Sequence, residues 1–197
     1  MPAYAGMTSF PRKRESRTMR RRNYAHASCK LNPVRTKYYP PPALAEVLAG
    51  LRGQGKRIVF TNGCFDLLHS GHLHTLSQAK RLGDVLVVGI NSDASVKRLK
   101  GAQRPIVRET ERVQILAALE AVDYVTIFGE DTPLELIRLL RPQILVKGGD
   151  WGSEAVVGKE AVEENGGEVV LVPYQPGFST TGIIERILAV YRDTQKA

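Results

Sequence analysis

Apolar and polar positions alternate in blocks along most of the chain, and these blocks predict strands that are separated by helices. Runs that are apolar throughout predict buried strands at 57–61, 85–90, 124–128, 143–147 and 168–172. Apolar positions at helical spacing predict helices that begin near residue 44 and others over 72–82, 109–121, 133–140, 159–165 and 181–192. The polar stretch 97–108 lacks periodicity and contains Gly101 and Pro105, so it is predicted to be a loop.

Strands of this kind, separated by helices, indicate a parallel sheet that is covered on both faces. We therefore predict that residues 43–197 form an α/β domain with a doubly wound, Rossmann-like, mostly parallel five-stranded sheet. In such folds ligands bind beyond the carboxyl ends of the strands, where the strand order reverses. The polar residues that directly follow strands are therefore the candidates for a functional site.

The first 42 residues differ in character from the rest of the chain. The 197 residues carry a net charge of +8, and this segment holds ten of the 28 Lys and Arg residues but one of the 20 acidic residues. It has no helical or strand periodicity, so we predict a basic extension without a core of its own. Three alternatives remain for the role of this segment. It is a nucleic-acid-binding arm through Arg20, Arg21 and Arg22, a transit peptide, or sequence upstream of the true start codon.

Membrane insertion and a disulfide framework are both disfavoured by the composition. No apolar run approaches the roughly 18 residues of a membrane span, and no apolar segment follows the basic residues as in a secretory signal. Two cysteines, Cys29 and Cys64, cannot by themselves form a disulfide framework or a zinc site. The sequence therefore predicts a cytoplasmic protein with reduced thiols.

A segment rich in glycine and histidine follows the first predicted strand and opens the next helix, with the sequence TNGCFDLLHSGH over 61–72. Gly63 lets a ligand approach the backbone, and Gly71 leaves room for a phosphate at the helix start. The helix N-terminus offers N–H groups and a positive dipole end, and His69 and His72 add two imidazole donors. Because no third metal ligand stands close by, the segment predicts a phosphate site rather than a metal site.

Residues after the other strands extend the candidate site. Asn91 and Asp93 follow the second strand, where they contact a ribose or base or else form a turn and a helix N-cap. Lys147 lies at the end of a strand, in position to meet a phosphate, and Gly149 removes steric bulk beside it. Asp150 is placed to receive a substrate hydroxyl or to help hold Mg²⁺.

Two further segments have both a functional and a structural interpretation. The basic loop over 97–108 either closes over a triphosphate or is simply solvated. Trp151 either stacks on a ligand or packs against other side chains of the protein. The run Ser179, Thr180 and Thr181 precedes the last helix, where it either binds an anion or only caps the helix.

Taken together, these segments resemble the signature of the nucleotidyltransferase superfamily that contains the cytidylyltransferases and the small adenylyltransferases. The resemblance covers about residues 56–188. It is carried by the segment over 61–72 and by Asn-Ser-Asp at 91–93, Leu-Lys-Gly at 99–101, Arg-Pro at 104–105, Glu-Arg at 111–112, Lys-Gly-Gly-Asp-Trp at 147–151 and Ser-Thr-Thr at 179–181. Within the superfamily the chain is most similar to the D-glycero-β-D-manno-heptose 1-phosphate adenylyltransferases. That activity is the second domain of a bifunctional enzyme with a sugar kinase, and we expect a stand-alone form here.

The resemblance implies transfer of AMP from ATP to a sugar 1-phosphate, with release of pyrophosphate. The implied catalytic residues are His69, His72, Lys100 and Lys147. The implied nucleotide-binding residues are Asn62, Gly63, Cys64, Phe65, Asp66, Gly71, Asn91, Asp93, Gly149, Asp150, Ser179, Thr180 and Thr181. Arg104 and Trp151 are implied to bind the acceptor substrate. Mg²⁺ is expected to bind mainly through the phosphates, and a homodimer is expected.

Two alternatives stay open at this point. A glycerol-3-phosphate-type cytidylyltransferase would use CTP, but such relatives show Met-Gly-Asp-Asp-Trp where this chain has Lys-Gly-Gly-Asp-Trp at 147–151. They also carry an arginine before the Ser-Thr pair that this chain lacks. A nucleic-acid-binding module built on the basic N-terminal segment is the alternative outside enzymes.

Overall fold

The computed structural model describes residues 37–149, 156–173 and 177–194. Within these ranges five strands form one parallel sheet. They are β1 (Ile58–Gly63), β2 (Val85–Asn91), β3 (Tyr124–Phe128), β4 (Ile144–Gly148) and β5 (Glu168–Val172). The spatial order is β3-β2-β1-β4-β5, so the order reverses between β1 and β4. The doubly wound α/β fold predicted from the sequence is confirmed.

Helices connect the strands, as parallel strands require. They are α1 (Pro41–Gly53), α2 (Ser70–Lys80), α3 (Asp93–Lys100), α4 (Glu109–Ala117), α5 (Leu134–Leu140), α6 (Lys159–Glu163) and α7 (Thr180–Thr194). No helix in the described ranges has both the length and the apolar character needed to cross a membrane.

Each face of the sheet has its own hydrophobic core, and alternate residues of the strands supply the two. On one face, Val59 and Val88 pack with side chains of α2 and α4. On the other face, Phe60 and Val87 pack with side chains of α1, α5 and α6. Burial on both faces explains why the central strands are apolar throughout and why they could be identified from the sequence.

The sequence-based boundary at residue 42 lies too far along the chain. Tyr38 forms a parallel bridge with Val125, and the ring of Tyr39 meets that of Tyr124 edge-on at 5.6 Å. Helix α1 begins at Pro41, two residues before the predicted start of the domain. Residues 37–42 therefore belong to the folded domain, because they extend the edge of the sheet at β3.

The loop predicted over 97–108 is also partly wrong, because its first four residues form the end of helix α3. Ser92 caps this helix by accepting a hydrogen bond from the Ser95 N–H at 3.2 Å. Val96 is the apolar side chain that the helix buries. A helix of two turns with one buried apolar residue gives no periodic signal, which explains the error.

Lys37 provides a test of the revised boundary. Its Nζ donates to the backbone oxygens of Leu119 at 3.0 Å and Val122 at 2.7 Å. We expect Lys37→Met to lower the free energy of unfolding by about 1–2 kcal/mol, because charged hydrogen bonds to backbone carbonyls are lost. Urea denaturation measures this, with Lys97→Met as the control on an exposed lysine. If both variants were equally stable, residue 37 would belong to the basic N-terminal extension rather than to the folded domain.

Candidate functional site

Two adjoining cavities open at the carboxyl edge of the sheet, around the ends of β1 and β4. The larger has a volume of about 580 Å³ and the smaller about 280 Å³. Five residues line both cavities: Asn62, Gly63, Phe65, His72 and Thr180. The cavities therefore lie at the reversal of strand order, where a doubly wound sheet binds its ligands.

The smaller cavity is built around a stacked pair of histidines. The rings of His69 and His72 are nearly parallel, with centroids 3.8 Å apart. His69 is the N-cap residue of α2, but its side chain does not cap the helix. A Cβ on Gly71 would lie 3.1 Å from Nδ1 of His69, so only glycine leaves the imidazole this position without displacement. The helix N-terminus and both rings thus converge on one face of the cavity.

Both histidines are poised to act as neutral hydrogen-bonding groups. Burial, together with the nearby His69, lowers the pKa of His72 to about 4, and burial lowers the pKa of His69 as well. The Nδ1 atoms of both rings are buried and have no hydrogen-bond partner among the described residues. Buried polar atoms of this kind are normally satisfied, so the site favours a ligand with polar oxygens.

The depressed pKa of His72 predicts a stability change with pH in the ligand-free protein. The unfolded chain protonates this histidine near its ordinary value of 6.5, whereas the folded chain resists protonation down to about 4. The free energy of unfolding is therefore not lowered by this histidine above about pH 6.5, and it falls as the pH decreases toward about 4. Urea unfolding at several pH values should show a weaker pH dependence in His72→Gln than in the wild type. Parallel curves for the two proteins would contradict this prediction.

The larger cavity contains three of the cationic residues predicted for the site. Lys100 lies at the C-terminus of α3, Arg104 lies in the following loop, and Lys147 lies in β4. The Nζ of Lys147 donates to Oδ1 of Asn62 at 2.9 Å, and burial lowers the pKa of this lysine. The structure therefore brings Lys100 and Lys147 to one cavity, adjoining the histidine pair through His72.

Asp66 is occupied by partners within the protein. Its side chain is 1% exposed and accepts from Arg104 Nε at 2.5 Å and from the backbone N–H groups of Ile106 and Val107, each at 2.8 Å. Although burial alone would raise the pKa of Asp66, the hydrogen bonds from Val107, Ile106 and Arg104 hold it below its usual value. Through these contacts Asp66 holds the loop after α3 against the loop after β1.

Asp93 has a similar structural role. Its Oδ1 accepts from the Glu109 N–H at 2.9 Å, and the Asp93 N–H donates to Oε2 of Glu109 at 2.7 Å. The same Oδ1 also accepts from Nη2 of Arg112 at 2.8 Å. The side chain of Asn91 is buried and donates to Oγ of Ser95 at 3.0 Å. Of the two interpretations given for Asn91 and Asp93, these contacts favour the structural one, although Asn91 also lines the larger cavity.

The last predicted motif lies at the start of α7. Ser179 Oγ accepts from the Gly182 N–H at 3.0 Å and thus caps the helix. Thr180 lines both cavities, whereas Thr181 lines only the larger one. Gly149 lines the smaller cavity with a backbone φ of +129°, a conformation that favours glycine.

The remaining predictions divide into residues that line the site and residues that the structure does not describe. Cys64 is a free thiol in the wall of the larger cavity, and burial raises its pKa. Asp150 and Trp151 lie outside the described residues.

Several residues at the site were missed by the sequence analysis. They are Thr75, Leu99, Asp131, Thr132, Pro133, Val156, Val157 and Phe178. Asp131 and Thr132 follow β3 and could have been found by the rule that polar residues after strands face the ligand. Val156 and Val157 carry no such signal, because they reach the cavity through the tertiary fold alone.

Comparison with known proteins places this geometry among nucleotidyltransferase folds. The cytidylyltransferase-like family profile matches residues 60–186. The bifunctional protein HldE of Trichlorobacter lovleyi is 59% identical over 152 residues, which are 77% of this chain and 31% of that protein. HldE of Geotalea uraniireducens is 62% identical over 145 residues, 74% of this chain and 30% of that protein. The chain thus spans about a third of the length of the curated relatives it matches.

Solved structures agree on the fold. The lipopolysaccharide core biosynthesis protein from Thermoplasma volcanium is 28% identical and has a TM-score of 0.52. The match covers 61% of this chain and 98% of the other. Pantoate-beta-alanine ligase from Francisella tularensis has a TM-score of 0.51 at 15% identity, covering 80% of this chain and 78% of the other. The second likeness shows the fold alone.

Proposed function

This chain belongs to the cytidylyltransferase-like family, and we propose that it transfers AMP from ATP to D-glycero-β-D-manno-heptose 1-phosphate, giving ADP-heptose and pyrophosphate. The observation that carries the proposal is the stacked His69–His72 pair at the N-terminus of α2, which adjoins a cavity containing Lys100 and Lys147. One site for a triphosphate and one for a phosphorylated acceptor are what such a transfer requires.

The choice of acceptor is supported by the relatives. Identities near 60% to HldE proteins extend over about three quarters of this chain. The solved structure with 28% identity is described as a lipopolysaccharide core biosynthesis protein, and an ADP-activated heptose is a precursor for that kind of polymer. The proposal assigns this chain the nucleotidyl transfer step and does not extend to the remaining two thirds of the HldE proteins.

We place the triphosphate in the smaller cavity. There the α2 N-terminus, His69 and His72 can donate to phosphoryl oxygens, and Gly71 removes bulk beside His69. Thr180, at the start of α7, contributes a hydroxyl and a helix N-terminus to the same space. Gly63 and Gly149 line the same cavity and leave room for the nucleotide.

We place the acceptor in the larger cavity. Lys147 and Lys100 face its phosphate, and the polar residues Asp131 and Thr132 are available to the sugar hydroxyls. Because Arg104 is paired with Asp66, we propose that it positions the loop after α3 and does not bind the acceptor with its whole guanidinium group. His72 lines both cavities and therefore lies where the α-phosphate meets the acceptor.

The reaction needs positioning more than proton transfer. An oxygen of the acceptor phosphate attacks the α-phosphorus, the bond from that phosphorus to the bridging oxygen breaks, and pyrophosphate leaves. The attacking oxygen is already ionised at neutral pH, so no general base is required. Donors aimed at the charge that develops on the α-phosphoryl oxygens supply the catalysis, and His69, His72 and Lys147 are the residues placed to do so.

Mg²⁺ is proposed to enter with ATP as the magnesium complex of the co-substrate. Among the described residues, no three His, Cys, Asp or Glu side chains cluster so as to hold a metal ion. The phosphate oxygens would supply the ligands, and the ion would neutralise the leaving pyrophosphate.

We also propose a cytoplasmic enzyme without a role in binding nucleic acid, because its substrates are small phosphates.

The test is a pyrophosphate-release assay on the purified full chain. ATP and CTP are each supplied with Mg²⁺ and with heptose 1-phosphate, glycerol 3-phosphate or no acceptor. We expect release only with ATP and the heptose phosphate together. Release with CTP and glycerol 3-phosphate would replace the proposal by the cytidylyltransferase alternative, and a lack of release in every combination would reject both.

A further inference from the structure

Asn62 and Lys147 meet at the carboxyl edge of the sheet, although 85 positions separate them in the chain. They lie on the neighbouring parallel strands β1 and β4, one residue beyond the paired Thr61 and Val146. Residues at matching positions of two parallel strands point their side chains to the same face. The hydrogen bond from the Nζ of Lys147 to Oδ1 of Asn62 is therefore set by the register of the two central strands.

The larger cavity contains two cations that no described carboxylate neutralises. Both acidic side chains in the described part of its lining are already paired: Asp66 with Arg104, and Asp131 with an arginine of α3 outside the lining. Lys100 and Lys147 form no ion pair with an Asp or Glu of the described ranges. These two positive charges match the charge of a phosphate monoester, which is about −1.5 to −2 at neutral pH.

An amide is the side chain that can hold Lys147 without removing its charge. The Oδ1 of asparagine accepts a hydrogen bond from an ammonium group as a carboxylate oxygen does, but it carries no formal charge. Burial lowers the pKa of Lys147, as expected for an ammonium group without a counter-charge. The contact with Asn62 thus fixes the direction of the lysine and leaves an anionic ligand as the partner that it lacks.

We infer that Asn62 is a positioning residue: it holds the Lys147 ammonium in the larger cavity with its charge intact, so that Lys100 and Lys147 together select a doubly charged phosphate monoester. The identity of the acceptor rests on the proposed function, whereas the charge arrangement does not depend on which sugar carries the phosphate. A carboxylate or a phosphodiester should bind more weakly, because each leaves one buried cation without a counter-charge. This role acts through Lys147 and replaces the nucleotide contact that the family resemblance implies for Asn62.

The relative effects of Asn62→Asp and Asn62→Ala test the inference. Aspartate has nearly the shape of asparagine but neutralises Lys147, so it should lower kcat/KM for the heptose phosphate by about tenfold or more. Alanine removes the contact but keeps the cavity charge, so a loss of about threefold is expected. A merely structural role would give the opposite order, because aspartate preserves the shape. Asn165→Asp makes the same charge change at an exposed residue outside both described linings and should keep the wild-type value.

A double-variant cycle shows whether Asn62 acts through Lys147. In a Lys147→Met background, Asn62→Ala should cause no further loss of kcat/KM for the acceptor. A residue that contacts the ligand by itself would instead cause the same loss in both backgrounds. Circular dichroism checks that each variant is folded.

The pH profile of kcat/KM for the acceptor gives a readout that a packing defect would not move. In the wild type it should fall at alkaline pH as Lys147 loses its proton, and Asn62→Asp should shift this fall to higher pH, because a carboxylate favours the charged lysine. The other titratable or charged groups in the described lining are Cys64, Asp66, His72, Lys100, Arg104 and Asp131. Lys147→Met identifies the group responsible, since it should remove the fall.

Inorganic phosphate tests the charge arrangement without turnover. In urea denaturation of the full chain, phosphate should raise the unfolding midpoint of the wild type above that in sodium chloride of equal ionic strength. Asn62→Asp and Lys147→Met should each lose most of this increase. If no substrate combination released pyrophosphate while phosphate protection followed this order, only the proposed function would fail. Equal phosphate protection in all three proteins, or a smaller kinetic loss for Asn62→Asp than for Asn62→Ala, would overturn the inference.

Discussion

His72→Ala is expected to lower the turnover number for pyrophosphate release by at least about 100-fold. This histidine lines both cavities, and its ring stacks on His69 at 3.8 Å. Removal of one preorganised donor to a transition-state oxyanion usually costs a factor of this size. The Michaelis constant for ATP should change much less, because the donor acts mainly on charge that develops during the transfer.

The matched control is His74→Ala, two residues further along α2 and absent from the described linings of both cavities. It should keep nearly wild-type turnover. Steady-state kinetics with saturating acceptor measures both variants, and thermal unfolding confirms that they are folded. If a folded His72→Ala protein retained wild-type turnover, the histidine pair would have no catalytic role and the proposed placement of the triphosphate would fail.

Arg112→Met is expected to lower the free energy of unfolding by about 3–5 kcal/mol, because it leaves a network of buried polar groups without their donor. The Arg112 side chain is fully buried. It donates to the backbone oxygens of Cys64 at 2.5 Å and Val107 at 3.1 Å, and to Oδ1 of Asp93 at 2.8 Å. One guanidinium thus joins the loop after β1, the loop after α3 and the start of α3.

Urea denaturation measures this loss, and Arg108→Met on an exposed arginine one turn earlier is the control. Arg112→Lys should recover only part of the stability, since an ammonium group lacks the planar fork that reaches three acceptors. A loss below about 1 kcal/mol for Arg112→Met would show that the network does not hold these loops together.

The parts of the site that the sequence predicted are those encoded in short segments. The pairing of His69 with His72 and the glycine between them follow from three residues at the start of one helix. Lys147 could be assigned because the apolar pattern indicates where β4 ends, one residue from its observed end at Gly148. Such features depend on neighbours within about one helical turn, so local spacing is enough to reveal them.

The roles of Asp66, Asp93 and Arg104 could not be assigned in the same way. Asp66 bonds to residues about 40 positions away, and Arg112 reaches Cys64 across 48 positions. A carboxylate after a strand is equally suited to a ribose hydroxyl and to a loop N–H. Which of these it meets depends on how distant loops fold over the sheet.

The amino-acid sequence by itself determined the doubly wound sheet and the histidine motif on its carboxyl edge. The reason is that burial on both faces of a parallel sheet requires apolar strands, and the close approach of His69 to the backbone at residue 71 requires glycine there. The tertiary structure decided how the site divides into two cavities and which charged groups stay available to ligands. Those properties arise from contacts between segments far apart in the chain, which no periodicity records.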